Sequence, residues 1–422
     1  VLLGATHEDP AAALRTRLTP VGAERAANQD GAIPAWTGGG KPADPDAREQ
    51  PLLVIDNASA AKYAARLPEG ALALFARYPD YKIRVFPTHR TAAAPDWVYA
   101  NIAANAGRAH AAPEGIAYGV AGAAGGIPFP LPQNGTQIVW NHLLAFWGAA
   151  REAHVTTLIA SGDGSVQQTA GYREITDFPY YQQPGSAPEP YYFKTRRIQD
   201  APAARAGEAY IAWQPLDTAQ NRYVAWRYLP GEHRVRKAPS LSYDTPDADA
   251  SGYEELDDYY LFFGGPDRYD FRLLGKREMY IPYNNDRLNA MEPRAAMGSQ
   301  HANQDVLRYE LHRVWVVEGT LAAGKHHVAP RRRLYMDEDS WLVVYSEAWD
   351  EDGQLWKFGH ATMTLRPEIP AMIIGGQFIY DLLQGGYCYD FAFGGAGGYY
   401  RATSPHEARL FSADALAAEA LR

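Results

Sequence analysis

Between residues 154 and 365, apolar and polar residues alternate with a period of two, and short turn-forming stretches separate the alternating runs. That period puts successive side chains on opposite sides of a pleated strand. The runs "YYFKTRRI", "AYIAWQP", "RYVAWRYLP", "RYELHRVWVVEGTL" and "WLVVYSEAW" read as strands. The stretches "GDGS", "PGEH", "GGPD" and "DEDG" read as the links between them. Links this short join antiparallel neighbours, so the region is predicted to form an antiparallel meander of about nine to eleven strands.

Strand by strand, the alternation sorts large aromatics to one side. Over 308–318, Tyr309, Leu311, Trp315 and Val317 share a face, opposite Arg308, Glu310, His312, Val314 and Glu318. Over 341–349, Trp341, Val343, Tyr345 and Trp349 oppose Leu342, Val344, Ser346 and Ala348. Over 222–229, Val224, Trp226 and Tyr228 oppose Ala225 and Arg227.

The first 150 residues follow another pattern. Residues 1–50 form a Pro/Gly-rich arm without periodicity. Residues 57–80 have helical composition, with Asn57 as a cap and Pro68 as a break, and 94–109 read as a second helix with Pro95 in its first turn. In 125–150, Pro128, Pro130 and Pro132 forbid regular structure until the turn signal Asn134-Gly135. The helix expected after it carries Ile138, Val139, Leu143, Phe146 and Trp147 over more than half its circumference, so it is buried or lines an apolar cavity. Residues 375–400 are punctuated by glycine, and 412–422 read as a last helix behind Ser412. The expected organisation is an arm (1–50), one body (51–390, with 51–150 a helical plug and 154–365 the meander) and a Gly-rich segment with a helix (391–422). The fold class is mainly β with helices: a large curved antiparallel sheet, or half-open barrel, plugged by helices.

Composition sharpens this picture. The 422 residues include 28 Tyr and 10 Trp against 14 Phe, a bias toward rings with one dry and one wet end. With a net charge of −9 and no long basic stripe, nucleic acid is excluded as a partner. Arg331–Arg333 and Arg234–Lys237 read as solvated strand ends. A single cysteine leaves no disulfide framework, and no apolar run is long enough to cross a membrane as a helix. No methionine opens the chain, and a removed secretory signal is expected before it.

Catalytic motifs are missing. "ASGDGS" is not G-x-S-x-G, "HEARL" lacks the second histidine of a zinc-protease helix, and neither Gly275-Lys276 nor Gly324-Lys325 continues into a phosphate loop. Cys388 lies between tyrosines as a buried, inert thiol, and His326-His327 reads as a solvent-exposed turn pair. No cofactor is expected. Asp247, Asp249, Ser251 and Asp258 have the spacing of a calcium loop, but their flanks read as strands, which helix–loop–helix sites do not have. A curved sheet with Trp140, Phe146, Trp147, Trp226, Tyr228, Trp315, Trp341, Tyr345 and Trp349 inside encloses more apolar wall than it easily fills; these nine are the candidate hydrophobic wall. His89, Arg90, Asn141, His142, Asn284 and Asn285 are polar clusters in apolar surroundings, candidates for a polar rim or a structural network.

The motifs "LTPVGAERAANQDGAIPAWTGG", "FPTHRTAAAP", "GGIPFPLPQNGTQIVWNHLL", "KREMYIPYNN", "RYELHRVWVVEGTL" and "RRRLYMDEDSW" resemble the bacterial domain of unknown function 1329 family, from about Leu18 to about Tyr389. The family is grouped with the LolA/LolB lipoprotein-carrier fold, a half-open barrel plugged by helices. The resemblance implies a Gram-negative periplasmic protein, associated with the outer membrane and delivered by a cleaved signal peptide. It also implies lipid or hydrophobe traffic, with an RND-type inner-membrane transporter and an outer-membrane protein as partners. It carries over no catalytic residues. The expected function is non-catalytic carriage of a lipid, acyl chain, sterol or terpenoid. The alternatives are an adaptor in an envelope export assembly, docking through the arm, and a hydrolase-type enzyme on a lipid-like substrate using His89 or His142.

Overall fold

The computed structural model describes residues 10–40, 49–181, 189–238 and 243–419. Two short strands, β1 (Leu53–Ile55) and β2 (Ile83–Val85), and a two-stranded ribbon, β3 (His110–Ala111) with β4 (Val120–Ala121), lie in the N-terminal region. The main sheet begins with β5 (Ala150–Ala160), β6 (Val166–Asp177), β7 (Tyr191–Ala201), β8 (Ala209–Pro215), β9 (Val224–Leu229) and β10 (Arg234–Lys237). It continues with β11 (Tyr269–Pro282), β12 (Tyr309–Leu321), β13 (Arg331–Asp337), β14 (Val343–Trp349), β15 (Leu355–Arg366), β16 (Ala371–Asp381), β17 (Tyr387–Ala392) and β18 (Tyr399–Thr403). The helices are α1 (Pro10–Arg15), α2 (Glu69–Arg77), α3 (Asp96–Arg108), α4 (Gly135–Leu143), α5 (Asp286–Ala290) and α6 (Ala413–Glu419).

Two antiparallel runs make one sheet. The run β5 to β10 is joined to the run β11 to β17 where β17 pairs with β5, and β18 extends beside β5. β1 and β2 join the same sheet where β2 meets β12, β11 pairs with β12 beside them, and among the described residues β10 at the far end pairs with none of these, so the sheet is curved but not closed. Bulges at Leu273/Gly275, Thr362/Met363, Thr157/Leu158 and Gly171/Tyr172 add local bend and twist. The expected fold class, mainly β with an open curved antiparallel sheet and few helices, is the one observed. The glycine-punctuated stretch after residue 370 supplies β16 and β17, which sit at the centre of the sheet rather than outside it.

Both faces are covered. One carries an aromatic ladder in which Tyr345 opposes His360, Phe358 opposes Tyr380, Phe378 opposes Tyr389 and Tyr380 opposes Tyr387. Phe378 and Tyr389 stack at 4.2 Å, and Tyr380 and Tyr387 at 4.9 Å. α2 closes over this ladder: Gly70 rests on the Phe358 ring, where a Cβ would come within 2.2 Å, and its N–H donates to Glu347 Oε1 at 2.8 Å. The other face receives an inserted segment, residues 243–268, that leaves the sheet after β10 and returns as β11. The N-terminal region holds the sequence-predicted helices in shortened form. A 3-10 turn spans Ala60–Arg66, α2 follows Pro68, α3 follows Pro95, and α4 is capped by Asn134, which accepts from Gln137 N at 3.0 Å. α4 ends at Leu143, so Phe146 and Trp147 lie beyond it.

Gly70→Ala is expected to destabilise the protein by about 1–3 kcal/mol through overpacking, read as a lower urea midpoint with unchanged slope. Combining it with Phe358→Leu is expected to restore part of the loss.

Candidate functional site

The inserted segment meets the sheet through charges. Asp257 is fully buried and pairs with Arg332 at 2.9 Å, Arg268 at 2.6 Å and His327 at 3.0 Å. Despite burial, the two guanidinium groups and the imidazole hold its carboxyl far below the usual carboxylate range. Lys357 on β15 reaches Glu255 at 2.5 Å and Asp258 at 3.5 Å. Gln377 on β16 donates to Asp258 O at 3.0 Å and accepts from Leu261 N at 3.2 Å. Tyr260 and Leu261 take positive φ angles of 54° and 65° in succession, a costly backbone conformation held by Gln377 and by Arg151, which donates to Tyr260 Oη at 2.5 Å. These contacts correct two sequence expectations: Arg332 is not a solvated strand end, and His327 is not exposed, because both satisfy Asp257.

Toward β7 to β9 the segment stands off the sheet, leaving a cavity of about 360 Å³. Alternate residues of two strands form its floor: Phe193, Thr195 and Arg197 on β7, and Tyr210, Ala212 and Gln214 on β8. Register sets Thr195 against Ala212 and Arg197 against Tyr210, so all six share one side of the pleat. Tyr223 stands at the β9 end; Leu256, Tyr259, Phe263 and Arg268 form the roof; and Tyr243, Asp244, Asp267, Lys325 and His326 complete the lining. Arg197 donates to Glu174 Oε2 at 2.8 Å and to Tyr259 Oη at 3.1 Å, and Tyr259 in turn donates to Asp247 Oδ2 at 2.9 Å. Behind this relay, carboxylate oxygens of Asp247, Glu254 and Asp390 lie within 4.8 Å of one another, all buried. Burial, with repulsion from Asp249, pushes Asp247 up to about 6; burial, with repulsion from Asp247, pushes Asp390 up to about 7; and burial beside both carboxylates raises Glu254 well above the usual range. Cys388 is buried and donates to Glu254 Oε1 at 2.9 Å.

The nine candidate wall residues lie elsewhere. Trp226 opposes Ile211, and Tyr228 opposes Ala209, on the side of the pleat away from the cavity. There they join Leu416 of α6 in a separate apolar cluster. Trp140 is fully buried with its indole N–H on Ile116 O at 2.7 Å, and Tyr345 belongs to the aromatic ladder. Trp349 is capped by Arg331 at 3.9 Å, and Trp315 stacks on Trp341 at 6.1 Å. Phe146 and Trp341 line a crevice of about 40 Å³ beside the N-terminal arm, and Trp147 lines a gap of about 20 Å³.

Four of the six polar candidates come together, away from the cavity. His89 N donates to Glu310 Oε2 at 2.6 Å, Asn284 donates to Glu310 Oε1 at 2.9 Å, and Asn285 exchanges hydrogen bonds with the Arg308 backbone. Arg90 grips Asp339 through two bonds of 2.8 and 2.7 Å and donates to Glu24 O at 2.8 Å, pinning the arm. His312 stands between Asp337 at 3.2 Å and Glu310 at 3.4 Å; burial opposes its charge, but these bonds outweigh it and push the imidazole up to about 9. Asn141 clasps the Phe129 backbone. His142 accepts from Val343 N at 3.2 Å and donates to Phe262 O at 3.1 Å, and burial lowers it to about 4, keeping it neutral. The calcium-loop candidates separate. Asp249 pairs with Arg205 at 2.7 Å, Ser251 sits at a turn with φ 53°, and Asp258 faces Arg332 and Lys357 rather than Asp247.

The cavity residues were missed because their floor is mixed. Phe–Thr–Arg and Tyr–Ala–Gln do not register as an apolar face, whereas the opposite side, with Trp213, Trp226 and Tyr228, does. The usable signal was the tyrosine excess, since Tyr210, Tyr223, Tyr243 and Tyr259 all border the cavity.

Since the folded pKa of His312 exceeds the unfolded value, its contribution is complete below about pH 6.5 and disappears as pH rises through about 9, roughly 3 kcal/mol in all. Urea midpoints are expected to fall between pH 6 and 9.5, with a shallower fall in His312→Gln. Arg90→Ala, which strands Asp339, is expected to cost about 3–5 kcal/mol by the same measurement.

An uncharacterized protein of Pseudomonas aeruginosa, PA3922, is 37% identical over 405 residues, covering 92% of this chain and 88% of its own. A solved DUF1329 family protein from Desulfovibrio piger is similar in structure at 15% identity and a TM-score of 0.44, covering 64% of this chain and 92% of its own. The LolA superfamily protein NE2245 from Nitrosomonas europaea is similar at 13% identity and a TM-score of 0.41, covering 67% of this chain and 100% of its own. The model of the family described as "Protein of unknown function (DUF1329)" matches residues 54–417, and the chain belongs to that family.

Proposed function

We propose that this protein binds and carries a hydrophobic small molecule, without making or breaking bonds in it, and that the ligand sits between β7–β8 and the inserted segment. The observation that carries this reading is the 360 Å³ cavity between the sheet and the inserted segment, a volume in the range of small-molecule sites. Phe193, Tyr210, Tyr223, Tyr243, Tyr259 and Phe263 supply six aromatic rings to its walls. Burying about ten methylene equivalents there contributes on the order of 8 kcal/mol before the cost of association, enough for useful but reversible affinity.

Support against an enzymatic role comes from the histidines: His142 is kept neutral by burial with both ring nitrogens engaged by backbone groups, and neither it nor His89 borders the cavity. Against an adaptor that docks through a free arm stands the clamping of residues 24–25 and 34 by Arg90. The proposal includes the periplasmic setting that the family resemblance implies, with loading or delivery at an RND-type inner-membrane transporter and an outer-membrane protein.

The test is uptake of N-phenyl-1-naphthylamine, followed by its emission. The wild-type protein is expected to bind it saturably. Ala212→Trp, which puts an indole into the cavity floor, is expected to weaken binding at least about ten-fold with little change in the unfolding midpoint. Equal binding by both proteins would count against this site, and no binding by either against the carrier reading.

A further inference from the structure

The cavity contains charges, but each already has a partner. Arg197 is bound to Glu174 and Tyr259. Arg268 gives Nε and Nη2 to Asp257 at 3.0 and 2.6 Å, and its other bonds reach the carbonyls of Phe263 and Gly265. Lys325 is held by Asp267 at 2.6 Å, and His326, at the solvent end with 84% of its side chain exposed, faces Asp244 at 3.3 Å. A carboxylate or phosphate entering the cavity finds each of these basic groups already engaged by a carboxylate and would have to share it with that group, bringing two like charges together. An ammonium head would do the reverse.

The neutral polar groups are not spent in this way. Gln214 is buried on the floor, and its Oε1 has no hydrogen-bond partner among the described residues. Tyr210 and Tyr223 bond to each other through their hydroxyls, which uses one of their two O–H protons and leaves the other. An unmet buried acceptor and an unspent donor lining one cavity match a ligand group that both donates and accepts.

We propose that the ligand is uncharged and carries a hydroxyl group, a neutral hydrophobic alcohol rather than a fatty acid or a phosphate-bearing lipid. This rests on the carrier reading above. The cavity discriminates because its charges are closed into pairs while Gln214 and the tyrosine pair remain open.

Two probes that differ only in the head test this: 1-pyrenebutanol and 1-pyrenebutyrate, titrated into the full chain at pH 7.5 and read by pyrene emission. The alcohol is expected to bind at least about ten-fold more tightly than the carboxylate. Gln214→Met and Tyr223→Phe, each checked for an unchanged unfolding midpoint, are expected to reduce that preference. Equal or tighter binding of the carboxylate would overturn the proposal while leaving the carrier reading intact. If both variants retained the full preference, the assignment of the alcohol to these groups would be overturned. Failure of both probes to bind would overturn the carrier reading and this proposal together.

Discussion

The arrangement depends on how one inserted segment is attached to one face of the sheet. Residues 254–268 are fixed chiefly by buried charges, Asp257 to Arg268 and Arg332, and Lys357 to Glu255 and Asp258. Buried ion pairs add little net stability compared with well-packed apolar groups, but they are directional, and stranding one member is costly. Such a segment is held at a defined height instead of collapsing onto the strands beneath it. Where the charged pairs end, near Tyr259 and Phe263, the segment and the β7–β8 floor remain apart.

The two faces of the sheet therefore do different work. The aromatic ladder through Tyr345, Phe358, Phe378 and Tyr389 is the stabilising core, closed by α2 at Gly70 with no space to spare. The opposite face trades packing for polar attachment, and the space it leaves lies at the end of the sheet where β9 and β10 run out. α6 supports that end from behind, placing Leu416 on Ile211 and Tyr228. The C-terminal segment thus backs the cavity floor without entering it.

The sheet was legible because period-two alternation and short turns report strands and their antiparallel order directly. Which face would be empty was not legible, since alternation identifies two faces without saying what covers each. Trp226 and Tyr228 look like cavity wall in sequence but belong to an apolar cluster on the opposite side of the sheet, with a helix almost 190 residues away. Arg332 and His327 look like surface until Asp257, on a distant loop, is brought to them. The polar cluster of His89, Arg90, Asn284 and Asn285 could be seen as a group of residue types, but its centre, Glu310 and His312, was read only as the polar side of a strand.

The central claim is that a nonpolar guest belongs between β7–β8 and the inserted segment, and not on the aromatic side of the sheet. A crystal structure of the protein with a brominated neutral hydrophobe, phased to show bromine by anomalous scattering, tests it most directly. The account predicts a bromine peak among Phe193, Tyr210, Tyr259 and Phe263. A peak instead among Trp315, Trp341 or the Tyr345–Phe358 ladder, with the β7–β8 cavity filled by its own side chains, would contradict it.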